Sequence, residues 1–207
     1  SPDLPQGMRI RNANLTFSPR VMELKSFDGD LGKSDMQLTG KLTNYLAYGL
    51  TMAGMKDGEQ TLHGNMILKS KKFDLNEWMT DVDTVQTEEG EAYGIVEVPK
   101  GVDFTFDADI KEVLYEDMIL SDTKGMVVIR NGVVRMNGLT FETAGGAFGM
   151  SGSYDTQDIT NPLFDFDFKI TDMQIGKAVQ QFSTVKTFAP IAKQMEGVFN
   201  TNFKIQG

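Results

Sequence analysis

The residues best suited to chemistry are aspartates spaced two apart: Asp28/Asp30, Asp81/Asp83, Asp107/Asp109 and Asp165/Asp167. Paired carboxylates can serve glycoside hydrolysis or calcium ligation. On a strand, however, residues two apart share a face. Asp165 and Asp167 alternate with Phe164, Phe166 and Phe168, so they read as the wet side of a half-buried strand. None of the pairs falls in the EF-hand loop pattern, which needs further ligands at set offsets. The glycines at 145, 146, 149 and 152 could suggest a phosphate cradle, but Met150-Ser151-Gly152-Ser153-Tyr154 follows as alternating strand and no Lys-Ser/Thr ending is present. Glycines in strands mark bends and close backbone approach, so this cluster predicts a curved sheet. Ser151 lies outside the Gly-x-Ser-x-Gly elbow of hydrolases. His63, the one histidine, has no evident acid partner in the sequence, and cysteine is absent. The residues assign no catalytic side chain, no metal site and no cofactor.

The elements that would position any site are strands. Phe104, Phe106, Ala108 and Ile110 share one face of an alternating run, and Phe164, Phe166, Phe168 and Ile170 share one face of another, echoed from Phe199 to Ile205. Asn131-Gly132 between Met126–Arg130 and Val133–Met136 predicts a hairpin with a type I′ turn. One-sided alternation and tight turns indicate antiparallel pairing rather than βαβ crossovers. Helical spacing of Ile175, Ala178, Val179, Phe182 and Val185 predicts a helix capped by Asp172 and ended near Phe188 by Pro190. A shorter helix is expected over Asn76–Met79 after Asp74, with Trp78 and Met79 covering the sheet.

The chain has 207 residues and a formal charge of -9, with 40% hydrophobic and 24% charged residues. That balance suits a folded domain and gives nucleic acid or an anionic membrane no electrostatic attraction. No apolar run is long enough for a membrane-spanning helix. The chain begins at Ser1, and it reads as a processed or excised piece, with any membrane anchor outside it.

The two halves align. Leu62–Leu68 leading to Phe73–Met79 parallels Pro162–Phe168 leading to Thr171–Lys177, and Val98-Pro99 with Val102–Phe104 parallels Ala189-Pro190 with Val198-Phe199. The expected organisation is a first β-rich repeat unit over 1–97, ending in a polar linker from Thr80 to Glu97. A second unit spans 98–188, and 189–207 begins a further unit or forms a C-terminal strand, with a single integrated domain as the alternative. The fold class is mainly β with short α-helices: curved antiparallel sheets in tandem strand-and-helix units, groove-like.

Val98-Pro99-Lys100 with Phe104–Ala108, the Asn131-Gly132-Val133-Val134 hairpin, Gly145–Tyr154, Pro162–Asp167 and Val185–Ala192 together resemble the C-terminal part of AsmA-like proteins, particularly those of Bacteroidetes. The resemblance covers most of the chain, and its motifs are structural rather than catalytic. It implies a non-enzymatic periplasmic portion of a protein anchored in the inner membrane of a Gram-negative bacterium. Its role would be outer-membrane biogenesis or lipid homeostasis, with a β-groove that holds phospholipid or another envelope lipid and with envelope proteins as partners. The expected lipid-contacting residues are Phe104, Phe106, Phe148, Met150, Phe164, Phe166 and Phe168. The thirteen methionines suit an adaptable apolar surface. The competing expectation is a scaffold module whose apolar faces are filled by its own side chains and bind no lipid.

Overall fold

The computed structural model describes residues 7–55, 58, 60–79, 97–181 and 195–207, the side chains of Trp78 and Met79 excepted. Among these residues ten strands form one sheet whose spatial order is their order in the chain. They are β1 (Met8–Phe17), β2 (Val21–Leu31), β3 (Ser34–Thr43), β4 (Leu62–Asp74), β5 (Val102–Tyr115), β6 (Met118–Arg130), β7 (Val133–Thr143), β8 (Gly146–Asp155), β9 (Leu163–Gln174) and β10 (Val198–Gln206). Among the described residues there are three short helices: α1 (Tyr45–Met52), α2 (Asn76–Met79) and α3 (Ile175–Gln181). The mainly β, curved architecture expected from the alternating runs is therefore present, as a single open, curled sheet.

The turns explain the meander. Asn131 (φ 47°) and Gly132 (φ 78°) both take the left-handed conformation, which a type I′ turn requires, and Arg130 faces Val133 across it. Glu116, between β5 and β6, is likewise left-handed (φ 51°), and the Asn76 side chain brackets it, accepting from its N–H and donating to its carbonyl.

One pairing departs from the all-antiparallel expectation. β4 and β5 run parallel, with Gly64 beside Phe104, Met66 beside Phe106 and Leu68 beside Ala108. Parallel neighbours need a crossover of about a dozen residues or more, and the stretch read as a linker supplies that length. Its residues 80–96 lie outside the described residues. Where β5 begins, Thr156, fully buried, ties the seam to the second half: its hydroxyl accepts from the Val98 N–H (2.9 Å) and donates to the Gly132 carbonyl (3.2 Å).

The helices differ from expectation in two places. α3 begins at Ile175, and Asp172 is a left-handed residue (φ 56°) inside β9 whose N–H donates to the Asn200 side chain. Asp172 therefore belongs to a bulge of β9, where Thr171 and Asp172 oppose the single residue Asn200 of β10, and is not a helix cap. The continuation read through Phe182 and Val185 to Pro190 lies outside the described residues. α1 has no counterpart in the sequence reading. Asp74 behaves as expected: its carboxylate accepts from the Asn76 N–H at the start of α2.

The well-buried residues gather toward the end of the sheet that carries α2 and α3. Leu31, Met36, Leu68, Ile110 and Val113 form one cluster, and Ala144, Met173 and Ala178 another. Met173 is 1% exposed, held between β9 and α3.

Candidate functional site

The register converts seven separately predicted side chains into one surface. Row by row across the sheet, Phe17, Met22, Leu42, Gly64, Phe104, Ile129, Val134, Tyr154 and Phe164 stand opposite one another from β1 to β9. The next row runs Leu15, Leu24, Gly40, Met66, Phe106, Val127, Met136, Gly152, Phe166 and Ile205, reaching β10. Met150, Phe168 and Phe203 continue a third row, and Phe148 faces Phe141 and Ile170. Neither complete row contains a carboxylate, amine or guanidinium. Opposite residues in a sheet share a face, so Phe104, Phe106, Phe148, Met150, Phe164, Phe166 and Phe168 all lie on one apolar face.

That face is the inside of the curl. A Cβ built on Gly152, which points into it, would collide with the Asp165 carbonyl and the Phe166 ring, and one on Gly146 would come within 2.6 Å of the Met173 backbone. Gly149, between them on the opposite face, has nothing nearer than 3.8 Å. Along β8 the close approaches to β9 thus fall on the apolar side, as expected where the sheet bends toward that side. The absent side chain at Gly64 lets Leu42 and Phe104 lean together over it, their carbons 2.5 and 2.7 Å from where its Cβ would stand.

The aromatic residues interlock along this face. Phe141 stacks on Phe148 (4.9 Å between ring centres), Phe148 meets Phe168 edge-on (6.0 Å), and Phe168 stacks on Phe203 (4.8 Å). Phe106 packs on the cluster around Leu68 and Phe148 on the cluster around Met173. Farther from α2 and α3, cover is lost: Phe104 is half-buried, Phe164 is 39% exposed and Phe17 76%. A depression of ≈ 670 Å³ crosses β7 to β10, and its lining takes Met150, Phe168 and Phe203 from this face together with Ser151, Lys169 and Lys204 from the other.

Sequence reasoning left out much of the face. Phe203 and Ile205 were visible as the Phe199–Ile205 echo. Met22, Leu24, Leu42 and Met66 sit in strands whose alternation is broken by glycine or by the bulge between Leu24 and Phe27, so only the register brings them in.

The opposite face holds the charges. Arg11 donates to Asp28 (2.5 Å) and Asp30 (2.6 Å), and these two carboxylates hold its guanidinium pKa above the ordinary value. Asp165 receives Lys204 (2.8 Å), whose ammonium pKa it raises. Asp107 and Asp109 share this face with them, while Asp81 and Asp83 lie outside the described residues. The Asp109 Oδ1 atom is enclosed without a hydrogen-bond partner among the described residues. His63, at the start of β4, lies 3.6 Å from Asp103 on β5, a carboxylate that also accepts from Arg130 (2.9 Å). The acid partner that the sequence did not reveal is thus supplied by the parallel seam, but Arg130 competes for it. Among the described residues no group of three or more His, Cys, Asp or Glu is placed to hold a metal ion, and no helix is long and apolar enough to cross a membrane.

No family model, curated protein or solved structure matches the chain.

Proposed function

We propose that this chain is a non-enzymatic, AsmA-like module of the Gram-negative envelope that holds the acyl chains of phospholipid or a related envelope lipid along the inner face of its curled sheet. The observation that carries this reading is the uncharged row from Leu15 to Ile205, crossing all ten strands and only partly covered. A surface of that extent is unusual for a protein that binds nothing apolar. Each methylene laid against it is worth about 0.8 kcal/mol, so a long acyl chain needs no bond chemistry to be retained. The reading places the module in the periplasm, as part of a protein anchored in the inner membrane, acting in outer-membrane biogenesis or lipid homeostasis.

Native mass spectrometry of the chain extracted gently from a Gram-negative host tests it. The expected result is a ladder of adducts at phospholipid masses; a spectrum of bare protein under the same conditions contradicts it. A second reading, a lipid-free scaffold, draws on the two closed clusters beside α2 and α3, where the face is filled by the protein itself. Bare protein is the result that reading expects.

A further inference from the structure

The outer edge of β1 has no strand beside it among the described residues, and its whole length is exposed. Met8, Ile10, Leu15 and Phe17 on it are 48, 56, 49 and 76% exposed. Long edges with free peptide groups recruit another strand unless charged side chains, proline, a bulge or brevity blunts them, and β1 carries Arg9 on its polar face and one extra residue, at Arg11. β1 contains no lysine and no proline, whereas β10 carries Lys204. Arg11, at the first irregularity of β1, is folded back onto Asp28 and Asp30 and leaves the edge clear.

The peptide groups of β1 can be sorted by direction. Ser18 and Val21 exchange both backbone hydrogen bonds, and the Gly32 N–H donates to Gly7. Antiparallel alternation from these two anchors, passing over the extra residue at Arg11, turns Met8, Ile10, Ala13, Leu15 and Phe17 outward. The same five residues face Leu31, Gly29, Phe27, Leu24 and Met22 on β2, so their side chains stand on the apolar face.

This outward set is symmetric about Ala13. Under a two-fold axis there, Met8 faces Phe17 of the copy, Ile10 faces Leu15, and Ala13 faces itself. On the polar face Arg9 meets Thr16 and Asn12 meets Asn14, so no like charges oppose each other. A strand pairing with its own copy makes a closed, isologous contact that leaves no further β1 edge. We propose that two copies of this chain pair antiparallel through β1 about a two-fold axis at Ala13, joining their sheets into one with a continuous apolar face.

The absence of cysteine permits a clean test on the full chain. Opposed residues of a hydrogen-bonded antiparallel pair have Cα atoms about 5.5 Å apart, inside the disulfide window of about 4.4–6.8 Å. Ala13→Cys should therefore give a disulfide-linked dimer on mild oxidation. Leu15 and its copy each lie two residues from the axis on opposite sides, about 14 Å apart along the strands at about 3.4 Å per residue, so Leu15→Cys should stay unlinked. In sedimentation velocity the unmodified chain should double its mass as concentration rises. Ile10→Lys with Leu15→Lys, which sets lysine against lysine, should remain monomeric with an unchanged circular dichroism spectrum, and Ile10→Glu with Leu15→Lys should restore the dimer. A monomer at every concentration overturns the proposal, as does equal cross-linking of the two cysteine variants.

Discussion

At the scale of single residues, the fold depends on where side chains are missing. Gly152 and Gly149 lie three apart on one strand, yet their surroundings differ completely. Gly152→Ala forces a methyl group against the β9 backbone, and overpacking of this kind costs about 1–3 kcal/mol. Gly149→Ala meets only ordinary contact and removes chain entropy, so it should be neutral or stabilising by up to about 1 kcal/mol. Urea denaturation of the two variants checks both. The sequence placed these glycines in strands and announced curvature, but it could not tell which of them face inward, because that depends on pairing with β9. Thr156 was illegible altogether: a buried hydroxyl bridging Val98 and Gly132 joins residues far apart in the chain. Thr156→Val keeps the shape and the Thr156 N–H bond to the Gly132 carbonyl, but leaves the buried Val98 N–H without its acceptor and should cost about 1–3 kcal/mol; Thr156→Ser, which keeps the hydroxyl, should cost less. On the outer surface, the Lys111 ammonium donates to Asp122 and holds its carboxyl below the ordinary range. A depressed carboxyl stabilises the fold above its ordinary pKa, and that contribution fades as the pH falls through the lowered value. Lys111→Met should move the Asp122 titration, followed by carboxyl carbon NMR, upward; a titration that stays low contradicts the pair.

At the scale of elements, legibility followed the locality of the physics. The β6–β7 hairpin was readable because two adjacent residues, Asn131 and Gly132, determine it. β5 and β9 were readable because their alternation is unbroken over the phenylalanines. α1 was not, since none of its residues is buried and Asn44 offers it no side-chain cap, leaving neither an apolar stripe nor a capping signal. Asp172 misled because an aspartate before an apolar stripe is a good helix start, whereas here the bulge of β9 at Thr171–Asp172 sets its N–H against the Asn200 side chain. The parallel β4–β5 seam depends on the path of the intervening chain, which leaves no periodic mark. α3 nevertheless does what its apolar stripe requires: Ala178 and Val179 are buried, and Ala178 packs with Met173 and Ala144. Met173→Ala should cost about 2–5 kcal/mol as a large-to-small change in a closed site, measured by thermal or chemical unfolding. A cost below 1 kcal/mol would mean that the α3 end of the sheet is open.

At the scale of the whole molecule, the ten-stranded curl segregates its chemistry. Carboxylates and cations pair on the outer side, while the inner rows from β1 to β10 carry none. The seven residues picked from the sequence fall in the second half of the chain, because its phenylalanine runs are unbroken; the first-half contribution from Leu15, Met22, Leu42 and Met66 emerges only from cross-strand register. The central claim is that acyl chains lie against this inner face. A phospholipid carrying a photoactivatable diazirine in its acyl chain tests it most directly, with the cross-linked peptides mapped by mass spectrometry. Labels are expected on inner-face residues such as Phe104, Phe106, Phe166 and Phe168, and should disappear when Phe104 and Phe166 are both replaced by glutamate in protein that retains its circular dichroism spectrum. Labelling confined to the outer face, or labelling unchanged by the double replacement, would contradict the account.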